Sequence, residues 1–133
     1  MSETNVTWHP CSKEKLPESG YRYLVTVGSL VITRTYPFED WDRKNTDAWA
    51  KLPRPYDKRR KHNIETHWHP FPSEKPDKRG CYLVTARCYR GARFTMTKLW
   101  VPNIEWFLKE DGLEIIAWTE MPEPYKENVY VCS

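Results

Sequence analysis

The sequence predicts a mainly β protein, all-β or β-rich α+β, made of two tandem antiparallel meanders that share one core around a pseudo-twofold axis. The first supporting observation is an internal repeat: three segments occur twice, in the same order and about 60 to 70 residues apart. The second is that apolar residues alternate with a period of two, the period of β-strands. The third is that 11 prolines lie mostly between these segments, which disfavours long helices.

The repeated segments define two copies and the boundary between them. They are Trp8–Pro10 with Trp68–Pro70, Tyr23–Thr26 with Tyr82–Thr85, and Asp47–Tyr56 with Ile116–Tyr125. We divide the 133 residues into repeat 1, residues 1–61, which ends in a basic linker, and repeat 2, residues 62–133, which ends in a tail. A repeat of this length is close to the lower limit for independent folding, because small domains bury too little surface. The two repeats are therefore predicted to form one structural unit.

Repeat 1 is predicted to contain three strands. Polar and apolar residues alternate from Tyr21 to Val27, and Gly28-Ser29 is typical of a tight hairpin turn. The return strand, Leu30 to Tyr36, is rich in β-branched residues and ends at Pro37, which lacks a backbone N–H. The last strand covers Asp47 to Leu52, and the proline-rich segment after it is predicted to be a rigid, extended exit.

Repeat 2 follows the same plan with longer strands. Cys81–Cys88 is predicted to pair with Ala92–Trp100 across a short turn. A third strand is predicted at Ile104–Leu108, a turn at Lys109–Gly112 and a last strand at Leu113–Met121. The segment around the third strand is an insertion relative to repeat 1, where we align Trp41 with Trp106.

The duplicated pattern also predicts the core. Trp49 and Trp118 are expected at equivalent, largely buried positions, because large aromatic rings can build a small core from few residues. A tyrosine and a valine are also expected on the core face of each repeat. They are Tyr23 and Val25 in repeat 1, and Tyr82 and Val84 in repeat 2.

The net charge of +3 is small, but its distribution along the chain is uneven. Residues 75–98 carry seven basic and one acidic side chain, whereas residues 99–133 carry seven acidic and two basic ones. Such a separation of charge steers partners rather than selecting a fold. The polar beginning of the sequence and the lack of a long apolar segment lead us to expect a protein of the reducing cytoplasm.

The reactive residue types do not form a recognisable metal or catalytic pattern. The sequence has no C-x-x-C motif, and we predict that its four cysteines are free thiols: Cys11, Cys81, Cys88 and Cys132. His67 and His69 have the spacing of two metal ligands, but no third ligand lies within reach in the sequence. The sequence also lacks a nucleophile elbow and a phosphate-binding glycine loop. We therefore expect no cofactor, no metal and no enzymatic activity.

Two basic clusters make nucleic-acid binding one functional hypothesis. The first is the run Lys58, Arg59, Arg60 and Lys61 in the linker. The second is formed by Arg87, Arg90 and Arg93 around the tip of the second hairpin. Exposed rings beside these cations would stack on the bases of a single strand, or on a nucleotide. A basic run in a linker is also commonly just a solvated segment.

Several short motifs resemble a family of small domains of unknown function, found mostly in phages, prophages and mobile elements of gut bacteria. The resemblance rests on Trp8, on Leu16-Pro17-Glu18-Ser19-Gly20, on the Tyr-Leu-Val strands and on the closing segment Trp118–Tyr125. Repeat 2 departs from the pattern, because Lys75–Gly80 replaces the Leu-Pro-Glu turn. The resemblance implies a phage protein without assigned catalytic residues. Small proteins of that origin often bind one host protein, and inhibitors of bacterial immunity, including CRISPR effectors, are among them.

The leading functional hypothesis is therefore a non-enzymatic protein that binds and modulates or inhibits a host protein, such as a defence factor that handles nucleic acid. Because the residues shared by both repeats are accounted for by folding, we expect the partner to contact the insertion in repeat 2. The candidate residues there combine aromatic rings and carboxylates: Glu105, Trp106, Phe107, Glu110 and Asp111. The alternative interpretation is that Trp106 and Phe107 simply cap the core.

Overall fold

A computed structural model describes residues 4–11, 17–37, 46–57, 66–107 and 110–126. Within these residues there is no helix, and nine strands form two antiparallel sheets, so the predicted mainly β class is confirmed. The aligned position of Trp41, the linker run Lys58–Lys61 and the thiol of Cys132 lie outside the described residues.

The chain groups into two compact units whose limits differ from the division into residues 1–61 and 62–133. Unit 1 comprises Met1–Val6 and Leu52–Pro122, and unit 2 comprises Thr7–Lys51 and Glu123–Ser133. Each unit therefore contains one sheet together with a segment that follows the last strand of the other repeat.

The sheet of unit 2 is built around its most buried strand. Its strands are β1 (His9–Pro10), β2 (Arg22–Val27), β3 (Leu30–Thr35) and β4 (Ala48–Lys51), in the order β1-β4-β2-β3. Strands β2 and β3 form the predicted hairpin, in which Val27 pairs with Leu30 across two residues. The turn requires a positive φ at its first position, and Gly28 supplies it at 62°.

The sheet of unit 1 has longer strands and one more of them. They are β5 (His69–Pro70), β6 (Gly80–Cys88), β7 (Arg93–Val101), β8 (Glu105–Trp106) and β9 (Leu113–Glu120), in the order β5-β9-β6-β7-β8. A β-bulge between Thr85 and Ala86 shifts the register between β6 and β9. The predicted hairpin of β6 and β7 is present over nearly its full expected length.

The strand order differs from a simple meander in one respect. The last strand of each repeat, β4 or β9, joins the far edge of β2 or β6 instead of continuing from the preceding strand. Burial explains this order, because Leu24–Thr26 and Leu83–Ala86 are fully buried. Their backbone N–H and C=O groups cannot reach water, so each of these strands needs a hydrogen-bonded neighbour on both edges.

Equivalent tryptophans anchor the two cores, as the repeat predicts. Trp49 pairs with Val25 in one sheet, Trp118 pairs with Val84 in the other, and both indoles are 9% exposed. A histidine of the neighbouring short strand stacks on each indole with ring centroids 4.3 Å apart. Tyr23 belongs to the cluster of Trp49, and the ring of Tyr82 packs against the cluster of Trp118.

Unit 1 has the larger aromatic cluster, because β8 adds a third tryptophan to it. Trp100 and Trp106 pack edge to face with ring centroids 4.8 Å apart, and the ring of Phe71 meets both of them. Such perpendicular contacts are favourable for aromatic rings. The indole N–H of Trp106 is buried and has no hydrogen-bond partner among the described residues.

The segment after each last strand, which we call a closing segment, is fixed by side chains of the unit that contains it. In unit 1 the closing segment is residues 52–57. The indole Nε1 of Trp68 donates to the carbonyl of Arg54 at 3.1 Å, and the backbone N–H of Tyr56 donates to Oγ1 of Thr85 at 2.8 Å. Thr85 is fully buried, so this bond holds the segment against the sheet.

The closing segment of unit 2, of which residues 123–126 are described, makes the same two contacts. Trp8 Nε1 donates to the carbonyl of Glu123 at 3.0 Å, and the N–H of Tyr125 donates to Oγ1 of Thr26 at 3.0 Å. In both units the threonine that accepts this hydrogen bond is the residue directly after the Tyr-Leu-Val motif of the central strand. The pseudo-twofold relation and a core common to both repeats stay predictions.

Candidate functional site

The tip of the β6–β7 hairpin presents the most exposed aromatic side chain among the described residues of unit 1. Tyr89 is 82% exposed, because it lies in the turn where its ring cannot reach either face of the sheet. Gly91, with a φ of 90°, closes the turn, and its N–H donates to the carbonyl of Cys88 at 2.8 Å. The turn is thus closed by a backbone hydrogen bond, and the Tyr89 ring extends into solvent.

Arg90 is held against the ring of Tyr89. Its Nε donates to the Tyr89 hydroxyl at 3.2 Å, and its guanidinium carbon lies 5.6 Å from the centre of that ring. This is the range of a cation–π contact. The pair offers an aromatic face and a positive charge side by side at the tip.

The two other arginines predicted for nucleic-acid binding are engaged by carboxylates. Arg87 Nη2 lies 3.0 Å from Oε2 of Glu114, and Arg93 Nη1 lies 2.9 Å from Oδ1 of Asp57. The side chain of Arg93 is only 27% exposed, so its ion pair is less screened by water than a surface pair. Much of the positive charge that the sequence places at this tip is therefore neutralised within the chain.

The residues predicted to bind a partner at the insertion differ in how accessible their side chains are. Trp106 is 4% exposed and belongs to the aromatic core, which agrees with its alternative interpretation as a core cap, whereas Phe107 is 44% exposed. Glu105 has a positive φ of 72° and places its carboxylate 2.7 Å from Nζ of Lys75. Glu110 pairs with Lys98 at 3.0 Å.

The remaining predicted residue, Asp111, lies beside the hairpin tip. It is exposed in the turn that precedes β9, and the first residue of β9, Leu113, pairs with Cys88 at the end of β6. A shallow depression of about 570 Å³ lies between the two turns. It is lined by Arg87, Cys88, Tyr89, Gly91, Gly112, Leu113 and Glu114. We use the name tip surface for Arg87, Tyr89, Gly112 and Glu114 of this lining together with the adjacent turn residues Arg90 and Asp111. The structure thus unites members of both predicted sites.

Known proteins offer no guide to the role of this surface. No family model, curated protein or solved structure matches the chain. The resemblance to phage-encoded domains accordingly stays a prediction.

The described residues include potential metal ligands and three free thiols. Among them, no group of three or more His, Cys, Asp or Glu side chains converges on a point. Cys11, Cys81 and Cys88 are free thiols. Burial, and secondarily the negative charge of Asp47, raises the pKa of the Cys11 thiol, which makes it a weaker nucleophile.

In the described part of the chain, no helix has the length and apolar character needed to cross a bilayer.

Sequence reasoning missed Tyr89 as a candidate residue, although it placed the hairpin turn correctly. The available signal was position: a large ring in a short turn between two long strands has no core to enter. Sequence reasoning also could not foresee that Asp57, close to the linker in sequence, would pair with Arg93.

Proposed function

We propose that this chain is a non-enzymatic protein that binds, and thereby modulates or inhibits, a host protein through its tip surface. The observation that carries this proposal is the exposed pair of Tyr89 and Arg90 at the tip of the β6–β7 hairpin. Tyrosine and arginine are among the residues that dominate the binding energy of protein interfaces. A ring exposed to this extent contributes little to folding, so its place at the tip favours a role in contact.

The geometry of the pair also reduces the cost of binding. Arg90 is already held by the ring and hydroxyl of Tyr89, so less side-chain freedom is lost when a partner arrives. The neighbouring side chains Asp111 and Glu114 carry the opposite charge. A surface with both signs around an aromatic centre is typical of selective protein contacts.

The proposal includes a biological setting. We propose that the chain is encoded by a phage or related mobile element, acts in the bacterial cytoplasm and targets a defence factor, such as a CRISPR effector or another protein that handles nucleic acid. The support for this setting is the motif resemblance of the two repeats. The acidic last third of the sequence would complement a basic groove of such a target.

Binding of single-stranded nucleic acid or a nucleotide is the second candidate function. The exposed ring of Tyr89 beside a guanidinium is the observation in its favour, since bases stack on such rings. The ion pairs of Arg87 and Arg93 weigh against it, because they reduce the charge available for phosphates. We therefore rank it below protein binding.

A capture experiment tests the proposed function. Tagged wild-type protein and the double variant Tyr89→Ala, Arg90→Ala are used to isolate partners from bacterial lysate. The control is Tyr21→Ala, because Tyr21 of unit 2 is also exposed, at 61%, but lies outside the tip surface. We expect the double variant to lose the captured protein, with a loss of affinity of about tenfold or more, and the control to retain it. Equal capture by all three proteins would contradict the assignment.

The salt dependence of binding separates the two candidate functions. Affinity for a single-stranded oligonucleotide would fall steeply with salt, because counterions are released from phosphates. The proposed function predicts no measurable oligonucleotide binding at physiological salt. Saturable binding with a steep salt slope, lost in Arg90→Ala, would favour the nucleic-acid alternative.

A further inference from the structure

A second concave surface lies in unit 1 at the other end of β6. It is a groove of about 680 Å³, bounded by the connection between β5 and β6 and by the end of β9. β6 begins at Gly80, which lines the groove, and ends at Cys88 beside the tip surface. The nine residues of this strand separate the two surfaces by roughly 25 to 30 Å.

Aromatic rings form one wall of the groove and are held in fixed orientations. The ring of His69 stacks on Trp118 at 4.3 Å, and Tyr82 meets Trp118 edge to face at 5.3 Å. Trp118 Nε1 donates to the carbonyl of Glu74 at 2.9 Å, and the Tyr82 hydroxyl donates to the carbonyl of Lys78 at 2.8 Å. The wall is therefore preorganised, which lowers the cost of binding a ligand.

The charges of the groove do not cancel. Lys75 is paired with Glu105 at 2.7 Å, and Glu74 lies 3.1 Å from Nδ1 of His69. Asp77 and Glu120 also line the groove, and Lys78 is the one further cation among its described lining residues. Two carboxylates are thus opposed by a single exposed ammonium group. The described lining residues therefore carry more negative than positive side chains beside the aromatic wall.

The same carboxylates also act on the phenol of Tyr82. The pKa of its phenol is raised first by burial, then by the negative charges of Glu120 and Asp77. Both charges therefore act on the aromatic wall itself.

The first repeat provides an internal comparison. Tyr23 is equivalent to Tyr82, and its hydroxyl likewise donates to a backbone carbonyl, that of Glu18, at 2.9 Å. In the sheet, however, Tyr23 pairs with Lys51, whereas Tyr82 pairs with Glu120. Both repeats thus have a tyrosine at this position, but the residue paired with it is positively charged in repeat 1 and negatively charged in repeat 2.

We propose that the groove of unit 1 binds a basic side chain, an arginine guanidinium or a lysine ammonium, presented by a protein ligand. Trp118 is only 9% exposed and the ring of His69 stacks on it, so a ligand would meet mainly the rings of His69 and Tyr82. A cation whose apolar stem lies against these rings gains apolar contact, and the carboxylates attract its charge. The inference rests on the proposed function in one respect, because it names a chemical group that the bound protein supplies.

The groove is tested with a small probe that does not depend on knowing the partner. Acetyl-arginine amide is titrated into the ¹⁵N-labelled full-length protein, and acetyl-citrulline amide, which has the same shape without the charge, serves as the neutral probe. We expect the arginine probe to shift the indole N–H signal of Trp118 saturably, with a Kd of about 1 to 10 mM. The citrulline probe should shift it little.

Charge-reversal variants locate the binding. Glu120→Lys introduces the residue that repeat 1 carries at this position, and we expect it to weaken arginine binding about tenfold or more. Asp111→Lys changes the net charge equally at the distant tip surface and serves as the matched control. Equal binding of both probes, no saturable shift for wild-type protein, or unchanged binding by Glu120→Lys would overturn the inference.

The same titration separates this inference from the proposed function. Tyr89→Ala should bind the arginine probe like the wild-type protein, because the tip surface lies at the other end of β6. If the probe fails while capture of a partner still requires Tyr89, the groove assignment is wrong and the proposed function stands. If the probe binds while capture does not require Tyr89, the tip surface is wrong and the groove stands.

Discussion

At the scale of single residues, two buried indoles of one aromatic cluster differ in their polar contacts. Trp118 Nε1 donates to the carbonyl of Glu74, whereas Nε1 of Trp106 is buried without a partner among the described residues. An unsatisfied buried N–H costs free energy, because it has lost its bonds to water and gained none in the protein. The indole of Trp106 therefore stabilises the fold through packing alone.

This difference predicts unequal effects of the same substitution. Trp106→Phe removes ring area but also removes the unsatisfied N–H, whereas Trp118→Phe removes ring area and a hydrogen bond. We expect Trp118→Phe to lower the free energy of unfolding by about 1 kcal/mol more than Trp106→Phe. Urea denaturation followed by circular dichroism measures both values. A larger loss for Trp106→Phe would show that its N–H has a partner in solution.

At the scale of elements, the two closing segments are fixed to their sheets by the same pair of bonds. One bond comes from a tryptophan indole and ends on a backbone carbonyl. The other comes from a backbone N–H and ends on a buried threonine hydroxyl of the central strand. Replacing that hydroxyl with a methyl group leaves the shape nearly unchanged but leaves the N–H without its acceptor.

We therefore predict that Thr85→Val destabilises unit 1 through loss of one hydrogen bond. The expected decrease in the free energy of unfolding is about 1 to 3 kcal/mol, the cost of an unsatisfied buried donor. Thr97→Val is the control, because Thr97 is only half-buried on the neighbouring strand and should change stability by less than about 0.5 kcal/mol. Similar values for the two variants in thermal denaturation would argue against this role of Thr85.

Elements with a regular pattern could be predicted from the sequence, and those without one could not. The hairpins of both repeats follow from alternation and from glycine in the turn. The two-residue strands β1 and β5 carry no periodicity, although their Trp-His-Pro segments were recognised as repeated. The join of β4 and β9 to the far edge of the central strand depends on burial of the whole sheet, which a local pattern does not encode.

The candidate site was predictable only in part, because composition does not distinguish an exposed ring from a core ring. Trp106 and Phe107 are adjacent in sequence, yet one is 4% and the other 44% exposed. The arginines at the hairpin tip were located correctly, but their carboxylate partners Glu114 and Asp57 come from distant parts of the sequence. Such long-range pairs arise only when the sheet has formed.

At the scale of the whole molecule, the segment after Pro122 belongs to a different unit from the strand that precedes it. A chain that ends at Pro122 would keep β5 to β9 but remove Glu123 and Tyr125 from unit 2. Trp8 would then lose its carbonyl acceptor, and the hydroxyl of Thr26 its donor. We expect unit 2 to be destabilised much more than unit 1.

Hydrogen exchange measured by mass spectrometry tests this prediction. In the truncated chain, the amides of β2 should lose protection by at least about tenfold, while those of β6 should change little, because exchange reports local stability. A chain ending at Lys126, which retains both contacts, is the matched control. Equal loss of protection in β2 and β6 would mean that the two units unfold together.

The placement of the closing segments has a consequence for how such a protein depends on its own concentration. In a polypeptide with a single repeat, the closing segment would have to pack against the sheet of a second copy, because in this chain each closing segment packs on the sheet of the other repeat. Two such polypeptides would complete each other only on meeting, so their folding would vary with concentration, as in obligate dimers. Joining the copies in tandem replaces that encounter with an effective concentration in the millimolar range or above. We therefore expect the tandem chain to fold at concentrations at which two separate halves would be largely unfolded.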